Sequence, residues 1–294
     1  MQEIEHFSPE TLDEAAALLM AADTVSPLHA EGTRFAIQVT DGQHPCTCVV
    51  DLKRVPELNR LEYDERVGLR IGAAVPYSNI LQFPPIRRVY PILADACGPP
   101  HLGEAGAHAC FGMTLGNASA SADIAPSLIC LRASSAVFGP HGWSEWGVEG
   151  LLTGSTKASI QPGEFIVDLL LPPPPPRSGG AYFRSFLREA SDQSAVGIGT
   201  LLVMEADLLT CCGGRLVYGT AARPGHRALD AERFLAGKRL EDAIVQEAAA
   251  LAARNVEGKI DEGMPSRHRL EEIEVLTRGA ILKALARTQA VPAP

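Results

Sequence analysis

Apolar positions recur at helical spacing near the start of the chain. Leu12, Ala15, Leu18 and Leu19 share one face, and Ser8 and Pro9 suit the N-cap and first helical position before them. A short continuous apolar run predicts a buried strand at Cys48–Leu52, and Gly68–Ala74 and Phe165–Leu171 read as strands of a second unit. Helices are expected near Asn79 and over Val89–Cys97. Further on, Tyr182–Leu187, Ala195–Glu205 and Arg215–Gly219 read as strands of a small sheet. Leu229–Leu235 reads as a short helix ending at Gly237, and Leu240–Val256 and Leu270–Ala286 as amphipathic helices. Strands followed by helices imply an α+β unit at the C-terminal end.

The sharpest break in this pattern is the proline run Pro172–Pro176 followed by Arg177-Ser178-Gly179-Gly180. A proline run is stiff and extended and the glycines end it flexibly, so together they read as an interdomain crossing. Its place between two strand-like segments argues against a ligand for polyproline-binding domains. The chain therefore divides into residues 1–54, 55–176 and 177–294.

Composition narrows the function classes. With 294 residues, 46% of them hydrophobic, the chain can bury a sizeable core. A net charge of −9 without a sustained basic run argues against nucleic acid or an anionic membrane as partner. MQEIEHFSPE lacks the basic-then-apolar order of a secretory signal, and no run reaches the ~18 apolar residues of a membrane span, so a cytoplasmic protein is expected. The seven cysteines, Cys46, Cys48, Cys97, Cys110, Cys130, Cys211 and Cys212, are odd in number and irregular in spacing, which reads as reduced thiols without zinc or cluster spacing. Cys211 and Cys212 would point to opposite faces of a strand.

Phe111–Leu128, FGMTLGNASASADIAPSL, is the candidate for chemistry. Tight glycine turns leading to a helix expose backbone N–H groups that suit a phosphate or pyrophosphate, and Gly112, Gly116 and Asn117 adopt backbone shapes that bulkier residues resist. A surface loop with no ligand fits the same composition. No P-loop or Gly-x-Ser-x-Gly elbow occurs, and Gly197-Ile-Gly199 lacks the third glycine of a dinucleotide turn and sits in an apolar strand. His101 and His108 have no carboxylate at metal-site spacing. Trp143 and Trp146 in GWSEWG read as a locally packed loop pair.

Several segments carry a resemblance. FSPETLDEAAALL, CVVDLKRVPELNRLEYDERVGLRIGAAVPYSNIL, IQPGEFIVDLLLP, YFRSFLREASDQSAV and GTAARPGHRALDAERFLAGKRL follow, in order, the segments of the FAD-binding medium subunit of the molybdenum hydroxylases, the group of carbon monoxide dehydrogenase and xanthine dehydrogenase. From end to end the chain resembles that family. The resemblance implies an α+β fold: two α/β subdomains of the FAD-binding, vanillyl-alcohol-oxidase-like (PCMH) type, then a C-terminal α+β domain with a small antiparallel sheet and helices. It implies a flavoprotein subunit that does not oxidise substrate alone. Electrons would come from the molybdenum cofactor on a large subunit, through [2Fe–2S] clusters on a small subunit, to FAD here and on to an external acceptor. The assembly would be a heterotrimer or its dimer, with no cluster or molybdenum in this chain.

The family pattern assigns the FAD diphosphate to two loops. The first spans Leu28, His29, Ala30, Glu31, Gly32, Thr33, Arg34 and Phe35, where the family reads Ala-Gly-Gly followed by Thr, Ser or His. The second spans Gly112, Met113, Thr114, Leu115, Gly116 and Asn117, where it reads Gly-Thr-Ile-Gly-Gly-Asn. Ser121 and Asp123 follow in the same binding segment, with Asp123 at the position that contacts the ribityl or ribose portion. Ile166 or Val167 would offer a backbone contact near the ring, and Arg184 stands where a Lys or Arg lies close to the flavin.

The departures fall on the cofactor. Both diglycine motifs have lost a glycine, one to Glu31 and one to Leu115. A Cβ at a site of close phosphate approach or positive φ costs on the order of a kilocalorie per mole or more. Glu31 also brings a negative charge to the diphosphate, which Arg34 beside it counters. The family's Arg-Asn pair before the second loop reads Ala109-Cys110. Two readings follow: an FAD-binding electron-transfer subunit, or a flavin-depleted structural or assembly subunit of the same complex.

Overall fold

Thr11, not Ser8, starts the first helix, Leu12–Ala21. Glu14 N donates to Thr11 Oγ1 (3.2 Å), and the Glu14 carboxylate reaches back to Glu10 N (3.0 Å). Thr11 thus caps the free Glu14 amide of the first turn while the Glu14 carboxylate ties down the chain before it, and this moves the helix start beyond the predicted one. Ala15, Ala16 and Leu19 form the buried face.

The computed structural model describes residues 5–21, 25–28, 48–98, 109–116, 124–153, 160–186, 194–220, 223–256 and 266–290. It divides into two compact units: Met1–Gln82 with Pro100–Gly116 and Ala133–Pro172, and Phe83–Pro99 with Asn117–Arg132 and Pro173–Pro294. The second thus takes two segments from within residues 55–176.

In the first unit, strands β1 (Glu5–Phe7), β2 (Val25–Leu28) and β3 (Cys48–Asp51) form a parallel sheet with β3 in the middle. Two 3-10 turns, Leu52–Arg54 and Pro56–Asn59, carry the chain onward. Leu52, Val55 and Leu58 are fully buried there. A five-stranded antiparallel sheet follows in the order β4 (Leu61–Asp64), β5 (Gly68–Gly72), β8 (Phe165–Leu171), β6 (Ser134–Gly139), β7 (Gly142–Gly147). The central strand β8 coincides with its predicted span. GWSEWG is a strand rather than a loop pair, because the tight Gly139–Gly142 connection folds it back on β6. Trp143 stands edge-on to Phe138, centroids 5.2 Å apart, and Trp146 Nε1 donates to Ser144 Oγ (3.0 Å).

In the second unit, β9 (Ser178–Phe186), β10 (Ser194–Met204), β11 (Thr210–Thr220) and β12 (Arg223–Arg227) form an antiparallel sheet in the order β12-β11-β10-β9, with β13 (Lys238–Arg239) also on β11. Helices Leu229–Leu235, Asp242–Val256 and Ser266–Ala290 cover one face, where Ile198, Leu202 and Leu216 meet Val245, Ala248 and Ile281. Helices Pro91–Cys97 and Ala125–Cys130 cover the other. The helix predicted over Val89–Cys97 is split: Pro84–Val89 ends at Tyr90 and a new helix begins at Pro91, which supplies no N–H to continue the first.

Glycines explain the close layers. Gly179 lies in strand β9, not in a flexible linker end, and a Cβ there would sit 2.2 Å from the Ala284 carbonyl oxygen of the long C-terminal helix. In Gly197-Ile198-Gly199, a Cβ at 197 would strike Tyr182 Oη at 2.2 Å and one at 199 the Pro126 backbone at 2.8 Å. The motif makes room for a ring and a helix. Among the described residues no helix is long and apolar enough to cross a membrane.

The β10–β11 turn is held by Asp207, whose carboxylate accepts from Leu209 N (2.9 Å), Thr210 N (2.8 Å) and Thr210 Oγ1 (2.7 Å). These bonds, Thr210 N first, pull its pKa from 3.8 to about 2.

Two outcomes follow. Gly179→Ala should lower stability by about 1–3 kcal/mol, because backbone cannot yield to the new methyl. Gly213→Ala, with nothing within 4 Å of its Cβ, should shift it by less than about 0.5 kcal/mol; urea midpoints at unchanged m read the difference. Because the folded pKa of Asp207 lies below 3.8, its contribution is complete above that pH and is lost as pH falls towards about 2. The stability gap between the native chain and Asp207→Asn should therefore close over that acid window in urea melts, and a gap constant with pH would refute the assignment.

Candidate functional site

The expected second FAD loop begins where strand β5 runs out. Ala73 N donates to Val167 O (2.8 Å), and Ala73 O accepts from Gly112 N (2.9 Å), so Phe111–Gly116 is strung beside the central strand β8. The segment is one helical turn and a half, not an open loop. A backbone pairing of Pro76 with Cys110 and a bond from Tyr77 N to Ala109 O (2.8 Å) fix its entry.

Its polar groups are turned inward. Gly112 N is paired with Ala73 O and Thr114 N with Cys110 O (3.1 Å), so these amides, expected to face a phosphate, close the backbone instead. Thr114 Oγ1 donates to Cys110 O (2.8 Å) and lies 2.8 Å from Tyr77 Oη. Tyr77 is a buried residue whose ring tilts against Phe111, centroids 5.1 Å apart.

Leu115 is 6% exposed, covered by protein atoms. It is absent from the described non-glycine residues at positive φ, Arg132, Arg177 and Leu208. The strain expected from replacing a glycine here is therefore not present, since the residue sits in a helical turn with its side chain inside. On this observation the described part of the loop fits the family scaffold. Gly116 closes the turn. Leu28 is the last residue of β2, paired with Asp51. Ala30, Glu31, Gly32, Thr33, Arg34, Phe35, Asn117, Ser121 and Asp123 lie outside the described residues.

Ile166 is buried in β8 opposite Val137. The register moves from Ala136–Asp168 to Val137–Ile166, so β8 holds one extra residue, Val167, in a bulge. Bulges re-aim main-chain groups and recur beside binding sites. Asp168, nearby and buried, is paired with Arg70 at 2.7 Å.

Arg184 belongs to the second unit and is described within it. It stacks over Tyr182 (5.0 Å), and its Nη2 donates to Ala96 O (2.5 Å) and Asp95 O (3.4 Å), the last carbonyls of helix Pro91–Cys97. A cation at a helix C-terminus complements the dipole. Asp95 receives Tyr182 N (3.2 Å), Arg287 (2.6 and 3.0 Å) and Lys283 (3.1 Å). Sequence reasoning passed over Asp95, although a lone acid in the apolar run PILADAC signals a partnered, part-buried charge.

Cys97, Cys110, Cys130, Cys211 and Cys212 are free thiols. Cys211 is buried and Cys212 exposed, as opposite faces of β11 require. Burial pushes the Cys211 thiol up to about 11 and raises Cys97 further, against the opposing pull of Arg184. Neither is a nucleophile at neutral pH.

The chain is similar to known proteins over nearly its whole length. Residues 2–174 match the FAD binding domain in molybdopterin dehydrogenase, and residues 181–284 the CO dehydrogenase flavoprotein C-terminal domain. The xanthine dehydrogenase FAD-binding subunit of Escherichia coli O157:H7 is 26% identical over 269 residues, 91% of either chain. The nicotine 6-hydroxylase medium subunit of Paenarthrobacter nicotinovorans is 25% identical over 290 residues, 97% of this chain and 98% of its own. Quinoline 2-oxidoreductase from Pseudomonas putida 86 shares the fold at a TM-score of 0.84 and 22% identity, over 96% of this chain and 97% of its own. With both domains present in order along nearly the whole chain, the protein belongs to the family of flavoprotein subunits of molybdenum-containing dehydrogenases.

Proposed function

We propose that this chain is the FAD-binding electron-transfer subunit of a multi-subunit molybdenum hydroxylase. Electrons would arrive from [2Fe–2S] clusters on a small partner subunit and leave to an external acceptor, while a large subunit carrying the molybdenum cofactor oxidises the substrate. The observation that carries the reading is the unbroken match of the FAD-binding domain over residues 2–174, with Leu115 accommodated inside the unit. When bound, FAD supplies a two-electron store that can be filled and emptied one electron at a time.

The chain's own residues would hold that group and exclude water from it. Main-chain donors of Ala30, Gly32 and Thr33, with the Arg34 guanidinium, would face the diphosphate from the first loop. Gly116 and Asn117 would face it from the second, beyond the self-paired amides of Gly112 and Thr114. Asp123 would accept from ribityl or ribose hydroxyls, with Ser121 beside it. Main chain at Ile166 and the bulged Val167 would meet the ring edge. The partners would be the large and small subunits in a heterotrimer or its dimer, in the cytoplasm. The relatives' names, FAD-binding subunit and medium subunit, support an assembly of this kind.

The deciding measurement is the visible absorbance of the subunit purified after co-expression with its partners, then denatured to release flavin. Near one FAD per chain is expected. A colourless chain that still co-purifies with iron–sulfur and molybdenum partners would overturn FAD binding and leave a structural subunit. The two altered motif positions should behave differently. Glu31→Gly should tighten FAD by about tenfold by removing a charge beside the diphosphate. Leu115→Gly should instead cost about 2–4 kcal/mol of stability without tightening FAD, because it empties a buried position and loosens a helical turn.

A further inference from the structure

The two edges of the second unit's sheet are guarded differently. An open edge invites another strand, and short length, charge and proline are the usual deterrents. β12 has all three: five residues, RPGHR, with Arg223, Arg227 and Pro224. β9 lacks the first and the last, and its one charge is occupied. It runs for nine residues, SGGAYFRSF, and Arg184 is turned to the carbonyls of Asp95 and Ala96. Among the described strands it pairs with β10 alone.

The edge is covered instead by side chains from opposite faces of the sheet. A Cβ on Gly179 would meet Ala284 O and one on Gly180 would meet Ile92, so the helices Ser266–Ala290 and Pro91–Cys97 flank β9 on its two sides. Asp95 of the shorter helix and Arg287 of the longer one bond at 2.6 and 3.0 Å. That bridge takes up main chain on its way: Asp95 Oδ2 accepts Tyr182 N (3.2 Å), and Arg287 Nη1 donates to Gly180 O (2.6 Å). Alternate residues of an antiparallel strand point their main-chain groups the same way, so Gly180 and Tyr182 both face away from β10 and the bridge runs round the outside of the strand. These are the groups a further strand would need. Lys283 joins Asp95 at 3.1 Å and lies over the Phe183 ring.

We propose that Asp95 and Arg287 form a latch that withholds the β9 edge from a second copy of this chain. With the latch gone, SGGAYFRSF would pair antiparallel with its own equivalent across a two-fold axis, the self-complementary contact that identical strands offer.

The test uses the full chain, with sedimentation velocity to count copies and amide hydrogen exchange to find the contact. Asp95→Ala/Arg287→Ala should be monomeric when dilute, with the Tyr182 amide exchanging faster than in the native chain. On concentration its mass should rise about twofold, and that amide should regain protection. The native chain should show neither change, nor should Asp230→Ala/Arg233→Ala, which removes an exposed ion pair of the same unit. A double variant that stays folded and monomeric at every concentration would overturn the latch, and so would association that leaves the Tyr182 amide fast. Equal association of the Asp230→Ala/Arg233→Ala control would overturn it too, since loss of any ion pair would then suffice. Should the double variant fail to fold, Arg287→Ala decides the matter, because it releases Gly180 O while Asp95 keeps Tyr182 N and Lys283. No concentration-dependent protection of β9 in that variant overturns the proposal.

Discussion

The second unit is built from three separate stretches of chain, and Asp95 ties one of the borrowed ones to the rest. Strand β9 is the edge of its sheet, and an edge strand leaves main-chain groups unpaired. Asp95 accepts Tyr182 N from that edge, while Arg287 donates both to Asp95 and to Gly180 O. A carboxylate on one helix and a guanidinium on another thus close the strand between them. Arg184 completes the arrangement by holding the C-terminal carbonyls of the Asp95 helix. Three cations around one carboxylate are tolerated because Arg184 takes carbonyls rather than the acid, and Lys283 remains substantially in solvent. The pairing is of the partly buried kind, where removing one partner costs more than the pair itself contributes.

Hydrophobic periodicity made much of this architecture legible. β8 and the helix Leu229–Leu235 lie where their apolar pattern put them: β8 buries six of its seven residues, and the helix buries Ala231 and Leu235 while Leu229 stays exposed. The misses have local causes. The first helix begins late because Thr11, rather than Ser8, caps the Glu14 amide of its first turn. β7 was hidden because, as an edge strand, it buries little and reads as polar. Gly179 looked like linker because a glycine is equally fitted to a flexible turn and to a place where a helix backbone presses on a strand. Only the packing partner distinguishes the two, and Ala284 lies more than a hundred residues away in sequence.

The candidate site was legible as a family pattern, and less so as a set of atoms. The pattern marks Gly112, Thr114 and Leu115 as ligand-facing, yet the amides of the first two are consumed within the fold and the third is inside it. Asp95 carried a weak signal, an acid in an apolar helix, and acts through partners distant in sequence. Side chains that organise a site from behind leave little trace in a local motif, because their meaning depends on what they face.

The two lost glycines show why a motif position cannot be judged by residue type alone. A glycine is required where φ is positive or where a ligand approaches within a Cβ radius. Leu115 does not meet the first condition, being helical without a positive φ, and its side chain is buried. The backbone-strain part of the objection therefore falls away at Leu115. At the first loop Glu31 adds a charge as well as a Cβ, and charge is negotiable in a way that backbone strain is not. A carboxylate at position 31 can rotate towards solvent or pair with the guanidinium three residues on, whereas a Cβ cannot leave its Cα. Of the two altered positions, the buried leucine is thus the one the fold accepts, and the glutamate is the one on which flavin affinity would turn.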